Sequence, residues 1–355
     1  MKKPKQLYRY WPLGAILLVF FASLIWEQVK PAGKSEPVTK VDFAMDTVIQ
    51  YCLYGNNAEK ALEECEELLS RLEEKFTCTG TYNSESTGDI REINQLAGTS
   101  AATVSEETYR LLSRSLELTR HTNGLFDITI GPLTELWDIT GENPTVPPQE
   151  EIEKALALTG GGLVLEEESR QASLQREGQR LDLGAIAKGY SCDLLREVCQ
   201  KYKITKGYIS LGGNMMVLDD SKEMRFGLQD PLSGGEASAI ASFSLEGQTM
   251  ATAGGYERYF EQDGIRYCHI INPHTGWPAE TDLLSVSVIT PDGALADALS
   301  TALFLMGREK ALEFLESVSC GAVLVDTDCR VWLYGGLEEK FQFQLRESSG
   351  YQLAE

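Results

Sequence analysis

The sequence predicts an α+β fold, mixed strands and helices in one large domain behind a single N-terminal transmembrane or signal segment. Three observations carry this. Segments with helical and with strand-like apolar spacing are intermixed, without the regular strand–helix–strand repetition of a doubly wound sheet. Hydrophobic content of 43% and charged content of 24% over 355 residues are ordinary globular values. The net charge of −21 is unevenly spread. Residues 1–30 hold Lys2, Lys3, Lys5, Arg9 and Lys30 against Glu27, a local +4 that leaves −25 for the rest. An acidic body of this kind excludes a free-standing nucleic-acid binder, which needs a basic face for phosphates. It is compatible with a small anionic ligand held by a metal ion or a few local cations.

From Trp11 to Trp26 the run WPLGAILLVFFASLIW carries no charge. Its sixteen residues approach the ~20 that span a bilayer core, and Tyr8, Tyr10, Trp11 and Trp26 suit the interfaces. An uncleaved anchor places the basic end in the cytoplasm and the body outside, at the cell membrane. A cleaved signal peptide makes the protein secreted, and a buried core helix is the third reading. Residues 31–40 read as a linker, 41–345 as the folded domain and 346–355 as a C-terminal tail.

Alternation from Phe43 to Leu53 predicts a strand. Leu62, Cys65, Leu68, Leu69 and Leu72 predict a helix over 58–75. A second helix over 105–121 follows Ser105 as N-cap. The prolines of 144–148 break the chain before a helix at 149–158. Strands are expected at 162–166, 172–176, 207–211, 223–228 and 238–245, with a helix at 185–202 among them. A glycine-rich turn at 252–256 precedes strands near 265–271 and 283–289. Helices at 294–305 and 308–317 and a hairpin over 321–334, turned at Asp326-Thr327-Asp328, close the domain. The eight cysteines form no C-x-x-C pair, which excludes a zinc ribbon or thioredoxin-type motif. Disulfides in an exported chain and small buried side chains both fit them.

Four stretches could carry chemistry. Asp182-Leu-Gly-Ala-Ile-Ala-Lys188-Gly-Tyr190 lies between a strand and a helix, where backbone N–H groups can meet phosphate; a tight turn with a solvated lysine is the bland alternative. Asp297 and Thr301 are four apart on an otherwise apolar helix. A carboxylate there is costly unless paired or metal-bound, and its oxygen with a hydroxyl suits a hard cation such as Mg²⁺. His269, one of three histidines with His121 and His274, sits at a strand end and suits general-base work. Leu125-Phe126-Asp127, ahead of Gly131-Pro132, is either a stacking platform or a strand end and turn.

These stretches, taken in order, resemble the ApbE family of FAD:protein FMN transferases. The resemblance spans about Val41 to Leu333 through AMDTVIQ (44–50), GLFDITIGPLTELW (124–137), DLGAIAKGY (182–190), SLGGN (210–214), ATAGGYERYF (251–260), HIINPHTGWP (269–278) and ADALSTAL (296–303). It implies that Met45, Tyr82, Leu125, Phe126, Asp127, Asp182, Lys188 and Ile271 contact FAD. It implies that the Ala185 carbonyl with Asp297 and Thr301 binds Mg²⁺, and that His269 activates the acceptor hydroxyl. Asn272-Pro-His274 stands where the family has Asp-Pro-Arg, Gly255 where Asp is frequent, and Ala185 where Gly is usual. The implied reaction moves FMN from FAD to a threonine of an acceptor flavoprotein, within a D-G-x-[ST]-[GS]-A-T type segment, and releases AMP. Rnf-type and quinone-reductase subunits and extracellular electron-transfer flavoproteins are the implied acceptors.

Overall fold

The alternation over 43–53 is real, but it folds back on itself. In the computed structural model, which describes residues 36–78, 88–219, 224–233 and 238–354, it forms the hairpin of β1 (Val38–Ala44) and β2 (Thr47–Tyr54). Ala44 pairs with Thr47, so Met45 and Asp46 alone make the turn, at φ 53° and 56°. Left-handed φ at both positions matches the twist of a two-residue hairpin. The usual asparagine–glycine signal is missing, which is why the sequence reads as one strand. Strand β1 also begins at Val38, inside the expected linker. The expected anchor over residues 1–30 and Tyr82 lie outside the described residues. Among those described, no helix is long and apolar enough to cross a membrane.

After the hairpin come α1 (Ala58–Phe76), α2 (Asp89–Gln95), the short strand β3 (Ala102–Thr103) and α3 (Glu106–His121). Ser105 caps α3 as expected, its Oγ facing the Thr108 N–H at 3.5 Å. Asp89 reinforces the cap by accepting from the Ser105 N–H at 3.0 Å. The stretch read as a strand end and Gly-Pro turn is helical instead. A 3₁₀ turn over Ile128–Ile130 runs into α4 (Gly131–Trp137). Pro132 sits in the first turn of α4, where its missing N–H costs nothing. Helix α5 (Gln149–Leu158) and the strands β4 (Leu163–Glu166) and β5 (Gln171–Leu174) lead to α6 (Ala187–Lys201).

The second half opens with β6 (Lys206–Leu211), β7 (Asn214–Val217), β8 (Arg225–Gln229), β9 (Ala239–Ser244) and β10 (Thr249–Gly254). The small hairpin of β11 (Tyr259–Gln262) and β12 (Ile265–Cys268) precedes β13 (Leu283–Thr290). Helices α7 (Gly293–Met306) and α8 (Arg308–Leu315) separate it from β14 (Gly321–Asp326) and β15 (Arg330–Tyr334). Helix α9 (Leu337–Lys340), β16 (Gln344–Leu345) and β17 (Gln352–Leu353) end the fold. The glycine-rich segment at 252–256 is thus mostly strand, because Ala251 and Ala253 are small enough to pack under α7.

One mixed sheet, in the order β1-β2-β6-β7-β10-β13-β14-β15-β17, organises the chain. All its pairings are antiparallel except β15 with β17. Residues 346–354 are therefore no loose tail. They complete the sheet edge, with Tyr351 buried and its hydroxyl donating to Asp230 Oδ1 at 2.7 Å. On one sheet face Ala251, Ala253, Val286, Val288 and Leu324 pack under α7 and α8, while Ile49, Leu53, Ile209 and Leu211 pack under α1 and α6. On the other, Met250, Ile289, Val323 and Val325 meet Phe243, Phe341 and Phe343 around the three-stranded sheet β16-β9-β8. Each of the Val, Leu, Ile, Met and Phe side chains contributes about 1.5–3 kcal/mol on burial. The eight thiols are free, and five of them, including Cys65 and Cys199 of the α1–α6 seam, are buried.

Candidate functional site

Helices α6 and α7 cross at two glycines. A Cβ on Gly189 would stand 2.6 Å from Asp297 Cβ and closer still to the Gly293 carbonyl, so only glycine permits this approach. The crossing brings the buried Asp297 to the start of α6, where its Oδ2 accepts the Gly189 N–H at 2.8 Å. No side chain caps the first turn of α6 from its own N-cap residue, Ile186, so Asp297 supplies an acceptor from across the seam. Among the described residues, neither Asp297 Oδ1 nor the Thr301 hydroxyl makes a hydrogen bond to protein. They stand one helical turn apart on α7 as two uncommitted hard oxygens.

The N-terminus of α7 is held by acids from two directions. Asp292 Oδ1 accepts the Leu295 N–H at 2.8 Å. Asp193, from α6, accepts the Gly293 and Ala294 N–H groups at 2.7 and 3.0 Å. Burial pushes the Asp193 carboxyl up to about 6, with the two N–H bonds pulling the other way.

The loop before α6 is tied to α4. Asp182 Oδ2 accepts the Thr134 hydroxyl at 2.8 Å and its Oδ1 accepts the Gly184 N–H at 2.8 Å. Its own N–H donates to the Ile128 carbonyl. Lys188 Nζ donates to the Gly184 carbonyl at 3.1 Å, which folds the lysine back over the loop that contains Ala185. Asp127 caps the 3₁₀ turn, accepting from the Thr129 N–H and hydroxyl at 2.8 and 2.7 Å. Burial raises its carboxyl above the usual range, against those bonds.

The third wall is built from turns. Met45 donates its N–H to Glu73 Oε1 at 2.9 Å, and its sulfur lies 3.6 Å from the Ser191 hydroxyl on α6. Arg258 Nη2 donates to the Asp46 carbonyl at 3.3 Å. The Arg258 carbonyl accepts the His269 N–H at 3.0 Å and faces His269 Nδ1 at 3.3 Å. Burial, followed by the Arg258 guanidinium, pushes the His269 imidazole down to about 4. Lys188 lowers it further and Asp182 opposes, so those two charges lie within electrostatic reach of the ring. The β6–β7 turn at Gly212-Gly213 packs against Thr47, beside the same hairpin turn. The nearby Asn214 is 1% exposed, and among the described residues its Nδ2 has no hydrogen-bond partner.

Met45, Asp182, Ala185, Lys188, His269, Asp297 and Thr301 thus gather around the start of α6. Leu125 and Asp127 are partly exposed, but the Phe126 ring is 2% exposed within the main core. Ile271 is buried in a satellite cluster with Trp137 and bridges to Pro278. Sequence reasoning missed Glu73, Thr134, Asp193, Arg258 and Gly293. Arg258 stood inside the quoted ATAGGYERYF, but nothing in the motif says what it touches. Among the described residues, no three His, Cys, Asp or Glu side chains cluster as metal ligands. A cleft of ≈ 490 Å³ between α1, α3 and α6 is lined by Glu64, Arg71, Glu107, Arg110, Glu197 and Lys201, and shares no residue with this site.

Comparison with known proteins agrees with the geometry. The family model described as "ApbE family" matches residues 45–324. The chain is 37% identical over 245 residues to an FAD:protein FMN transferase of Klebsiella pneumoniae, covering 69% of this chain and 75% of that one. It is 29% identical over 355 residues to an FAD:protein FMN transferase of Treponema pallidum, covering 93% and 95%. Among solved structures, the ApbE protein of Thermotoga maritima superposes with a TM-score of 0.74 at 30% identity, over 88% of this chain and 98% of that one. The flavin transferase ApbE of Vibrio cholerae gives 0.72 at 25% identity, over 89% and 98%. A family match that runs from the Met45 turn past the α6–α7 crossing covers every element of the site, and this chain belongs to the ApbE family.

Proposed function

We propose that this protein is an FAD:protein FMN transferase that attaches FMN, through a phosphoester bond, to a threonine of an acceptor flavoprotein and releases AMP. The observation that carries the reading is the meeting of two unlike chemistries at the start of α6. One is the uncommitted oxygen pair of Asp297 and Thr301; the other is a neutral imidazole, His269, within reach of Lys188 and Asp182.

The residues fit a hard cation. Asp297 Oδ1, the Thr301 hydroxyl and the Ala185 carbonyl are oxygen donors of the kind Mg²⁺ takes, with its remaining positions left to water and substrate phosphate. When bound, Mg²⁺ would neutralise pyrophosphate charge and stabilise the departing AMP. Lys188 adds a cation at the phosphates. Asp182, with both oxygens already engaged, holds the loop that presents them. Met45, Leu125 and Asp127 offer the partly exposed contacts for the flavin. Phe126 and Ile271 act from beneath as packing, and Tyr82 is assigned here on resemblance alone. His269 accepts the proton of the attacking threonine hydroxyl, since a ring kept neutral to well below pH 7 is a base and not an acid there.

The acceptor is a flavoprotein with a D-G-x-[ST]-[GS]-A-T type segment, of the Rnf, quinone-reductase or extracellular electron-transfer kind. The uncharged run 11–26 behind a basic end supports a membrane-anchored enzyme acting outside the cytoplasm, or a secreted one if the run is cleaved.

The test is to mix the protein with FAD, Mg²⁺ and an acceptor domain and to take the acceptor's intact mass. A gain of one FMN, abolished by EDTA, is expected. Free FMN and AMP beside an unmodified acceptor would move the assignment to an FAD pyrophosphatase. Intact FAD would leave a flavin carrier.

A further inference from the structure

We propose that Arg258 is the positioning residue for His269. Its main-chain carbonyl sets the imidazole tautomer, and its guanidinium keeps that carbonyl in place by tying the loop to the Met45–Asp46 turn. The inference rests on His269 acting as the base.

A carbonyl oxygen only accepts hydrogen bonds, so a neutral ring that turns Nδ1 toward it carries its proton on Nδ1. The Arg258 oxygen lies 3.3 Å from Nδ1 and also accepts the His269 backbone N–H at 3.0 Å, so ring and main chain are held by one atom. Nε2 is then the nitrogen with the lone pair, free to take a proton from an attacking hydroxyl. The opposite tautomer would put an N–H where the base must be. A hydrogen bond at the second ring nitrogen is a common way to choose between them.

The carbonyl itself needs an anchor, because Arg258 lies in the exposed connection between β10 and β11. Its guanidinium donates to the Asp46 carbonyl at 3.3 Å, and among the described residues it makes no other hydrogen bond. Met45 and Asp46 both have left-handed φ, so the anchor is a tight turn with little freedom to follow a moving loop. One residue thus links the turn that bears Met45 to the strand end that bears His269. The charged groups that act on the ring are Arg258, Lys188 and Asp182. Arg258 acts through His269.

The test uses the full-chain, ligand-free protein with ¹⁵N-labelled histidine. Only His121, His269 and His274 give signals, and His269→Gln assigns the relevant one. At pH 7 the Nδ1–H form is expected at His269. Arg258→Ala should mix the tautomers and lower kcat for FMN transfer about tenfold, with KM for FAD changed far less, as a small misplacement of a base does. Arg258→Lys, which keeps one donor for Asp46, should restore most of both. An Nε2–H form in the wild type overturns the proposal. So does an Arg258→Ala protein with wild-type melting behaviour, tautomer and kcat. If that variant does not fold, the wild-type tautomer still decides. The tautomer is read without FAD or acceptor, so a failed transfer assay would sink the function without touching this result, and the reverse also holds.

Discussion

At the α6–α7 crossing the site is held by backbone packed on backbone. At the hairpin turn and the His269 strand end it is held by hydrogen bonds to turns and to neighbouring helices, without backbone packed on backbone. The first region places Asp297 by the contact of Gly189 with Gly293 and fixes the α7 terminus with Asp193, through bonds of 2.7 to 3.0 Å inside the protein. The second region relies on the bonds of Arg258, two at 3.3 Å and the main-chain one at 3.0 Å, on the Met45 N–H bond to Glu73 at 2.9 Å, and on a turn in which Met45 and Asp46 adopt φ values that glycine would adopt more easily. On the proposed function, Asp297 organises a highly charged substrate and must not yield, since its value lies in preorganisation. On the same reading, His269 as base for an incoming protein chain can sit on a less rigid frame. Strain tolerated at Met45 is of the kind found at ligand-binding positions.

The comparison breaks or sharpens under mutation. Asp297→Ala should have the largest effect. It removes both the uncommitted oxygen and the acceptor for the Gly189 N–H, and should lower FMN transfer about 10³-fold or more. Acceptor mass measured over time reads it; full activity with Mg²⁺ would count heavily against the assigned site. Gly189→Ala should follow, costing about 3 kcal/mol in denaturant unfolding, because the new methyl meets backbone and Asp297 Cβ rather than a flexible side-chain tip. An unchanged midpoint would mean the crossing is looser than the turn region, and the contrast would collapse.

His269→Gln should cost about 10²-fold in kcat with intact folding. The wild-type pH profile gives the same contrast a second test. His269 lies at about 4 in the fold against an ordinary 6.5, so the acid limb of kcat/KM should fall near pH 4 and not near 6.5. Between those values the unfolded chain binds a proton that the folded one refuses, so stability contributed by His269 declines as pH falls through that window. The smallest effect is expected from Met45→Gly. Relief of left-handed strain should raise stability by up to about 1 kcal/mol, while loss of the side chain should weaken flavin binding. Titration of FAD fluorescence alongside thermal melting separates the two.

Much of the molecule was legible in order. Helices α1, α3, α5, α7 and α8 follow apolar residues at helical spacing, and Ser105 marked its own cap. The errors fell where local signals were silent. The β1–β2 turn lacks glycine. The 125–137 stretch hides a 3₁₀ turn whose start is set by Asp127 bonding forward to Thr129. Strand β10 looked like a turn because its small residues report packing under α7 and not chain reversal. The terminal residues looked like a tail because a two-residue strand is recognised only by its partner, β15.

The sequence by itself determined the family, through motifs in a fixed order, and the four-residue spacing that puts Asp297 and Thr301 on one side of a helix. Both are local, since a motif is contiguous and a helix repeats every 3.6 residues. Only the tertiary structure decided that Asp193 would cap a helix 100 residues away, that two glycines would let α6 and α7 touch, and that the Arg258 carbonyl would face Nδ1 of His269. Those contacts are hydrogen bonds and backbone approaches between distant segments. They leave no periodic trace in the chain, because they come into being only when the core has brought the elements together.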